Sequence, residues 1–138
     1  MILSELGEGK NMARVKLVNI VQQNQEHPLV SSARWCSGWW CKLRGLQFRR
    51  KLEPGEALIL VGGSDSTTGS SIHMLFVFFP IAAIWINSKG TVTHTALAKP
   101  WRLYYGSKQP AQYVLEGEPK LLESVKVRDK IEFKFLED

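Results

Sequence analysis

Histidine and cysteine are too scarce in this chain to suggest a metal centre. Its 138 residues hold two cysteines, Cys36 and Cys41, and three histidines, His27, His73 and His94, each standing alone. A structural zinc site takes four Cys or His ligands, usually in short paired spacings. No such set can be read here, so no metal and no cofactor is expected. The two thiols are expected to be reduced and partly packed, with a disulfide or redox pair as the alternative. Long hydrophobic runs are missing as well. The longest, Met74 to Ile86, contains Pro80 and falls short of the ~20 residues of a membrane helix. The opening MILSELGEGK puts an acidic residue and glycines where a secretory signal has a basic start and an apolar core. The expectation is a soluble, cytoplasmic protein without a membrane span.

Recognisable catalytic motifs are also lacking. The glycine-rich stretch GGSDSTTGSS lacks the Gly-Lys-Ser/Thr ending that gives a P-loop its lysine and metal-binding hydroxyl. There are no paired carboxylates at a familiar spacing, no nucleophile motif and no aromatic RNP strand.

What is present describes an ordinary globular chain, 44% hydrophobic and 22% charged, with a core large enough to need no staples. Residues 1–12 carry two glycines and alternating charges without a period and are expected to form a loose tail, with residues 13–138 as one β-rich domain. Met12, which opens MARVKLVNIV, is an alternative start. Eighteen Lys+Arg against thirteen Asp+Glu leave a net charge of +5. That surplus favours anionic partners, nucleic acid among them, without defining a site.

Along the chain, Val15 and Leu17 alternate with Arg14 and Lys16 as in a strand exposed on one side, and LVSSARW resumes extended structure after a polar turn. Ser37 can cap a short helix on which Trp39, Leu43 and Leu46 share a face. Glu53-Pro54-Gly55-Glu56 suits a type II turn. ALILV and IHMLFVFF read as buried strands separated by the polar loop GGSDSTTGSS. IAAIWI and TVTHTAL flank a hairpin in which Gly90 takes the left-handed position. Ile131, Phe133 and Phe135 alternate with Glu132 and Lys134 in a last strand with one wet face. The expected fold is mainly β, a compact single-domain β-sandwich or barrel with one short helix near residues 38–46.

These elements, in this order, resemble the domain-of-unknown-function 192 family of prokaryotic proteins. The resemblance rests on Arg44-Gly45-Leu46, Arg49, Leu52, the apolar strand ending at Val61, Met74, Pro80, the Gly90 hairpin, Tyr113-Val114-Leu115-Glu116 and the turn at Arg128-Asp129. It runs from about Leu29 to Phe133. Members of that family usually carry a Trp-Met-Lys-Asn-Thr stretch and an aspartate two residues after the proline. Here the stretch reads His73-Met74-Leu75-Phe76-Val77, and Ala82 stands at the aspartate position. The resemblance implies a fold and no reaction, with any site in the polar stretch lost or changed.

Three groups of residues are candidates for a site. Lys42, Arg44, Arg49, Arg50 and Lys51 form the densest basic cluster, able to grip phosphates or simply to keep a helix face solvated. Lys99, Trp101, Arg102, Tyr104 and Tyr105, with Lys108 behind them, set aromatic rings beside cations on a loop, where they could stack on bases or sugars or plug one end of the core. His73 borders the polar loop and would need a partner such as Asp65 or a loop serine to act in acid–base catalysis, whereas His94 reads as a packed histidine. Trp35, Trp39 and Trp40 cannot all face inward on one short helix, which leaves one for a contact or an oligomer interface. The function expected is a non-catalytic binding or accessory module. The alternatives are a small hydrolase or transferase using His73 and the polar loop, and a basic-surface nucleic-acid or anion binder.

Overall fold

The computed structural model describes residues 16–23, 25, 27–38, 41–42 and 45–135, the side chains of 16–19 excepted. The expected tail at 1–12, the alternative start at Met12, and Trp39, Trp40, Leu43 and Arg44 lie outside these residues. Seven strands make one sheet: β1 (Lys16–Gln22), β2 (Val30–Cys36), β3 (Ala57–Ser66), β4 (Ile81–Ile86), β5 (Val92–Ala98), β6 (Ala111–Gly117) and β7 (Ile131–Phe135). Their order across the sheet is β5-β4-β6-β3-β2-β1-β7. All neighbours are antiparallel except β2 and β3, where Ala33 pairs with Ala57 and Cys36 with Leu60 in parallel. A parallel pair cannot be closed by a tight hairpin, and residues 37–56 make the crossover.

The sheet curls until one end of each edge strand reaches the segment that precedes the other. Thr91, just before β5, bridges to Lys130, just before β7. The Val92 amide donates to the Asp129 carbonyl (2.9 Å), that of Arg128 to Val92 (2.8 Å) and that of Ile131 to Gly90 (2.8 Å). Gly90 makes this closure possible twice over. Its φ of +84° completes the β4–β5 hairpin, and a Cβ there would stand 2.6 Å from the Ile131 carbonyl oxygen.

Because side chains alternate across a strand, the sheet buries both faces. Inside the curl lie Ile20, Ala33, Ile59, Ile84, Ile86, Leu115 and Ile131, joined by the rings of Trp35, Tyr113 and Phe133. The 3₁₀ turn Pro119–Glu123 adds Leu121 and Leu122. On the outer face, Cys36, Leu58, Ala83, Trp85 and Val114 are covered by Leu46, Ile72, Met74 and Val77 from the connections. β4, with all six residues buried, belongs to both cores.

The mainly β expectation holds, and so do the Pro54-Gly55 turn (φ +79° at Gly55) and the Gly90 hairpin. Several local readings change. β3 does not stop at Val61 but runs on through the glycines to Ser66, with a register shift against β6. Gly62 lies close to the Gln112 carbonyl there; a Cβ would stand 3.1 Å from it, tight enough that the neighbouring strand would have to give slightly. The stretch from Ile72 to Phe79, expected as a buried strand, is irregular: Ile72 alone bridges to Tyr105, and Phe76 turns to φ +59°. Of the expected helix, Cys41 and Lys42 are helical among the described residues, with the Lys42 amide donating to Gly38 (3.0 Å) and that of Gly45 to Cys41 (2.8 Å). Cys36 and Cys41 are a disulfide, against the reduced-thiol expectation. The turn folds the chain back on the end of β2 and brings their Cα atoms to 5.7 Å, within the range a disulfide spans.

Candidate functional site

Three connections meet on the outer face: residues 45–52, 67–80 and 99–110. Their backbones are tied to one another. Ile72 and Tyr105 exchange amide–carbonyl bonds (2.8 and 2.9 Å), the Met74 amide donates to Arg102 (2.7 Å) and that of Trp101 to Met74 (2.8 Å). The Phe48 amide donates to Phe76 (2.8 Å), and Gln47 Nε2 to the Leu75 carbonyl (3.0 Å). Trp85, fully buried on β4, anchors the cap from below by donating Nε1 to the Ser70 carbonyl at 2.7 Å.

Between this cap and the sheet lies a cavity of about 120 Å³, whose walls include Leu46, Met74, Val77 and Ile81 with Gln47, Gln112, Lys42 and His73. Glu116 of β6 also lines it. Strand alternation turns Glu116 toward the outer face, between Leu58 and Ala83 on the neighbouring strands. Its side chain is buried, and among the described residues no donor reaches its carboxyl. Burial raises its pKa from the ordinary 4.5 to about 7, since a charge without water or a partner is disfavoured.

Above the cavity the same loops carry an exposed aromatic patch. Phe48 and Phe76 stack at 4.9 Å, Trp101 meets Phe76 edge-on at 5.0 Å, and Phe78 meets Trp101 at 5.7 Å. All four rings are 42–59% exposed, with Leu103 and Tyr104 exposed beside them. Phe48, Phe76 and Trp101 each have positive φ, +65°, +59° and +68°. A bulky L residue enters that region at roughly 1–2 kcal/mol. Three such residues, one on each loop, converge on one patch.

Of the basic cluster expected at residues 42–51, Arg44 lies outside the described residues, and the other four are engaged differently. Arg49 is committed to Glu56 in a two-pronged ion pair (2.6 and 2.7 Å); that bond raises the arginine pKa and lowers the glutamate's. Lys42 Nζ donates to the Val61 carbonyl (2.8 Å), and Arg50 and Lys51 are exposed. Of the aromatic loop, Trp101 joins the patch and Tyr104 is exposed with its ring over Gly106, while Tyr105 is half-buried, accepting the Lys99 amide on its hydroxyl (2.8 Å) beneath the Arg102 guanidinium (5.0 Å). His73 reaches the cavity wall, and among the described residues no side chain partners it as the catalytic reading needs. Asp65 accepts from the amide and hydroxyl of Ser88, both at 2.8 Å. Ser70 and Ser71 turn their hydroxyls back to the carbonyls of Ser66 (2.7 Å) and Thr68 (2.8 Å). His94 packs against Trp85, ring to ring at 5.2 Å, and Trp35 is an inner-core ring beside Tyr113 and Phe133. Among the described residues no group of three His, Cys, Asp or Glu could hold a metal, and no helix is long and apolar enough to cross a membrane.

Reading the residues missed Glu116 as a site group and Phe48, Phe76 and Phe78 as surface. An ionisable residue directly after Tyr113-Val114-Leu115 was the one signal available, since a glutamate in a central strand must be buried or at its rim.

The fold and its capped outer face define a curled, mostly antiparallel β protein with a small cavity and an aromatic surface, and comparison with known proteins agrees. The chain belongs to the domain-of-unknown-function 192 family (DUF192, described as Uncharacterized ACR, COG1430), whose model matches residues 20–133. It is 34% identical over 102 residues to the UPF0127 protein PF1050 of Pyrococcus furiosus, covering 72% of this chain and 84% of that protein. It is also 34% identical to the UPF0127 protein TK1120 of Thermococcus kodakarensis, over 64% of this chain and about half (54%) of that protein. The same fold occurs in a Sinorhizobium meliloti protein described provisionally as a transcription regulator (TM-score 0.75, 21% identity, 91% of this chain and 98% of that one). It occurs again in a Novosphingobium aromaticivorans protein of unknown function (TM-score 0.72, 18% identity, 96% and 97%). At those identities the likeness concerns the fold alone.

Proposed function

We propose that this protein is a non-catalytic accessory module that docks on an anionic lipid surface through the patch of Phe48, Phe76, Phe78 and Trp101. The observation that carries the reading is the convergence of three left-handed aromatic residues, from three loops, on one exposed surface. Backbone strain of this kind points to a use for the side chains it displays. Each half-exposed ring offers on the order of 100 Å² for burial, about 2 kcal/mol at the usual coefficient.

Charge selects the partner. Residues 45–52, 73–80 and 99–106 contain no acidic residue, and besides Arg49, which is paired with Glu56, they carry Arg50, Lys51, Lys99 and Arg102. A second copy would set like charges face to face. Nucleic acid would want open ring faces and a phosphate-gripping cluster, whereas these rings pack on one another and Arg49 is paired with Glu56. An anionic bilayer accepts aromatic rings at its interface and contributes about 1 kcal/mol for each nearby cation.

Flotation with phosphatidylcholine vesicles, with and without phosphatidylglycerol, tests the reading. Binding should need the anionic lipid and weaken with salt, and the pair Phe76→Asn and Trp101→Asn should abolish it, asparagine being able to keep the left-handed backbone. Absence of binding to the anionic vesicles, unaltered binding by the double variant, or preferential binding of a nucleic-acid duplex would overturn it.

A further inference from the structure

The cavity beneath the patch holds a group that the surface reading leaves unexplained. A buried carboxyl without a partner is unfavourable, because its desolvation is returned by nothing. The side-chain donors of the walls do not relieve it. Gln47 gives its amide nitrogen to the Leu75 carbonyl (3.0 Å) and Gln112 gives its own to Gly62 (3.0 Å). The hydroxyls of Ser70 and Ser71 are turned to backbone carbonyls, and Lys42 holds the Val61 carbonyl at 2.8 Å. Both glutamines therefore keep an amide oxygen, and Glu116 keeps its carboxyl oxygens: the walls offer acceptors whose natural complement is a donor-rich guest.

We infer that this cavity binds a small primary ammonium compound, with Glu116 as counter-ion and the glutamine oxygens as further acceptors. An ammonium group brings three donors and no acceptor, which matches the buried carboxylate and the two amide oxygens. Leu46, Met74, Val77 and Ile81 suit a short apolar chain behind it. A volume of about 120 Å³ holds roughly four water-sized groups at about 30 Å³ each, which limits the guest to a short alkyl- or hydroxyalkyl-amine. Among the described residues, Lys42 and His73 are the other ionisable groups on the walls. Both belong to exposed residues, while Glu116 is 6% exposed, so the inner charge seen by a guest is negative.

Titration of the full chain with n-butylammonium, followed by the NMR signals of the Met74 and Val114 methyl groups at about pH 8, tests this; there the carboxyl is ionised and the amine still protonated. Saturable shifts of both methyls are expected. Neutral n-butanol, of the same size, should bind at least about tenfold more weakly to the unaltered protein, and Glu116→Gln should weaken the ammonium by a similar factor. No saturable shift, equal binding of the alcohol, or undiminished binding by Glu116→Gln would overturn the inference. The alcohol comparison needs no variant, and because vesicle binding reads a different surface, the two proposals fail separately.

Discussion

Replacing Glu116 by glutamine keeps the size of the side chain and removes its charge, which isolates the cost of burying a carboxylate without a partner. In the unfolded chain this glutamate titrates near 4.5, and in the native protein near 7. Between those values the native state holds a proton that the unfolded state has released, so stability falls as pH rises. The full contribution is present below 4.5, is lost progressively up to about 7 and stays lost above it. One pKa unit corresponds to about 1.4 kcal/mol, so the loss amounts to about 3 kcal/mol. At pH 4.5 the carboxylic acid and the amide are both neutral, and the two proteins should differ little. At pH 8 Glu116→Gln should be the more stable by about 3 kcal/mol. Urea unfolding of both proteins across this range measures the difference directly. Lys42, His73 and the Arg49–Glu56 pair are common to both and cancel in it. A gap that stays constant with pH, or one that favours the wild type at pH 8, would refute the reasoning.

Gly90→Ala should destabilise by at least about 2 kcal/mol in the same assay, from the left-handed backbone together with a collision at the Ile131 carbonyl. Gly55→Ala has similar φ but open space around its Cβ, and should cost only about 1 kcal/mol; equal losses would mean that the meeting of the sheet edges is not tight. Trp85→Phe deletes the bond to the Ser70 carbonyl and some volume, with an expected cost of about 2–4 kcal/mol. Hydrogen exchange should accelerate for the amides of Ile72 and Met74 in the cap; unchanged exchange there would show that Trp85 does not anchor it.

The sequence by itself determined the strands whose pattern is local. Alternation in Ile131–Phe135 placed Ile131 and Phe133 inward, the Asn87–Gly90 turn set the β4–β5 hairpin, and Pro54-Gly55 set the turn before β3, because each needs only neighbours along the chain. The ordered set of such features also carried the family. Tertiary structure decided what depends on the other side of a contact. The apolar stretch Ile72–Phe79 looks like a buried strand, but the place between β3 and β4, its neighbours along the chain, is occupied by β6 from late in the chain. Phe76 and Phe78 therefore reach the surface as part of the aromatic patch, while Ile72, Met74 and Val77 stay buried. Glu116, read from the sequence as part of the family resemblance, becomes a buried carboxyl when β6 takes that central place and the cap closes over it. Cys36 and Cys41 read as thiols until the turn between them brings their Cα atoms within bonding range. In each case the deciding quantity is what packs on a residue from far along the chain, which local pattern does not encode.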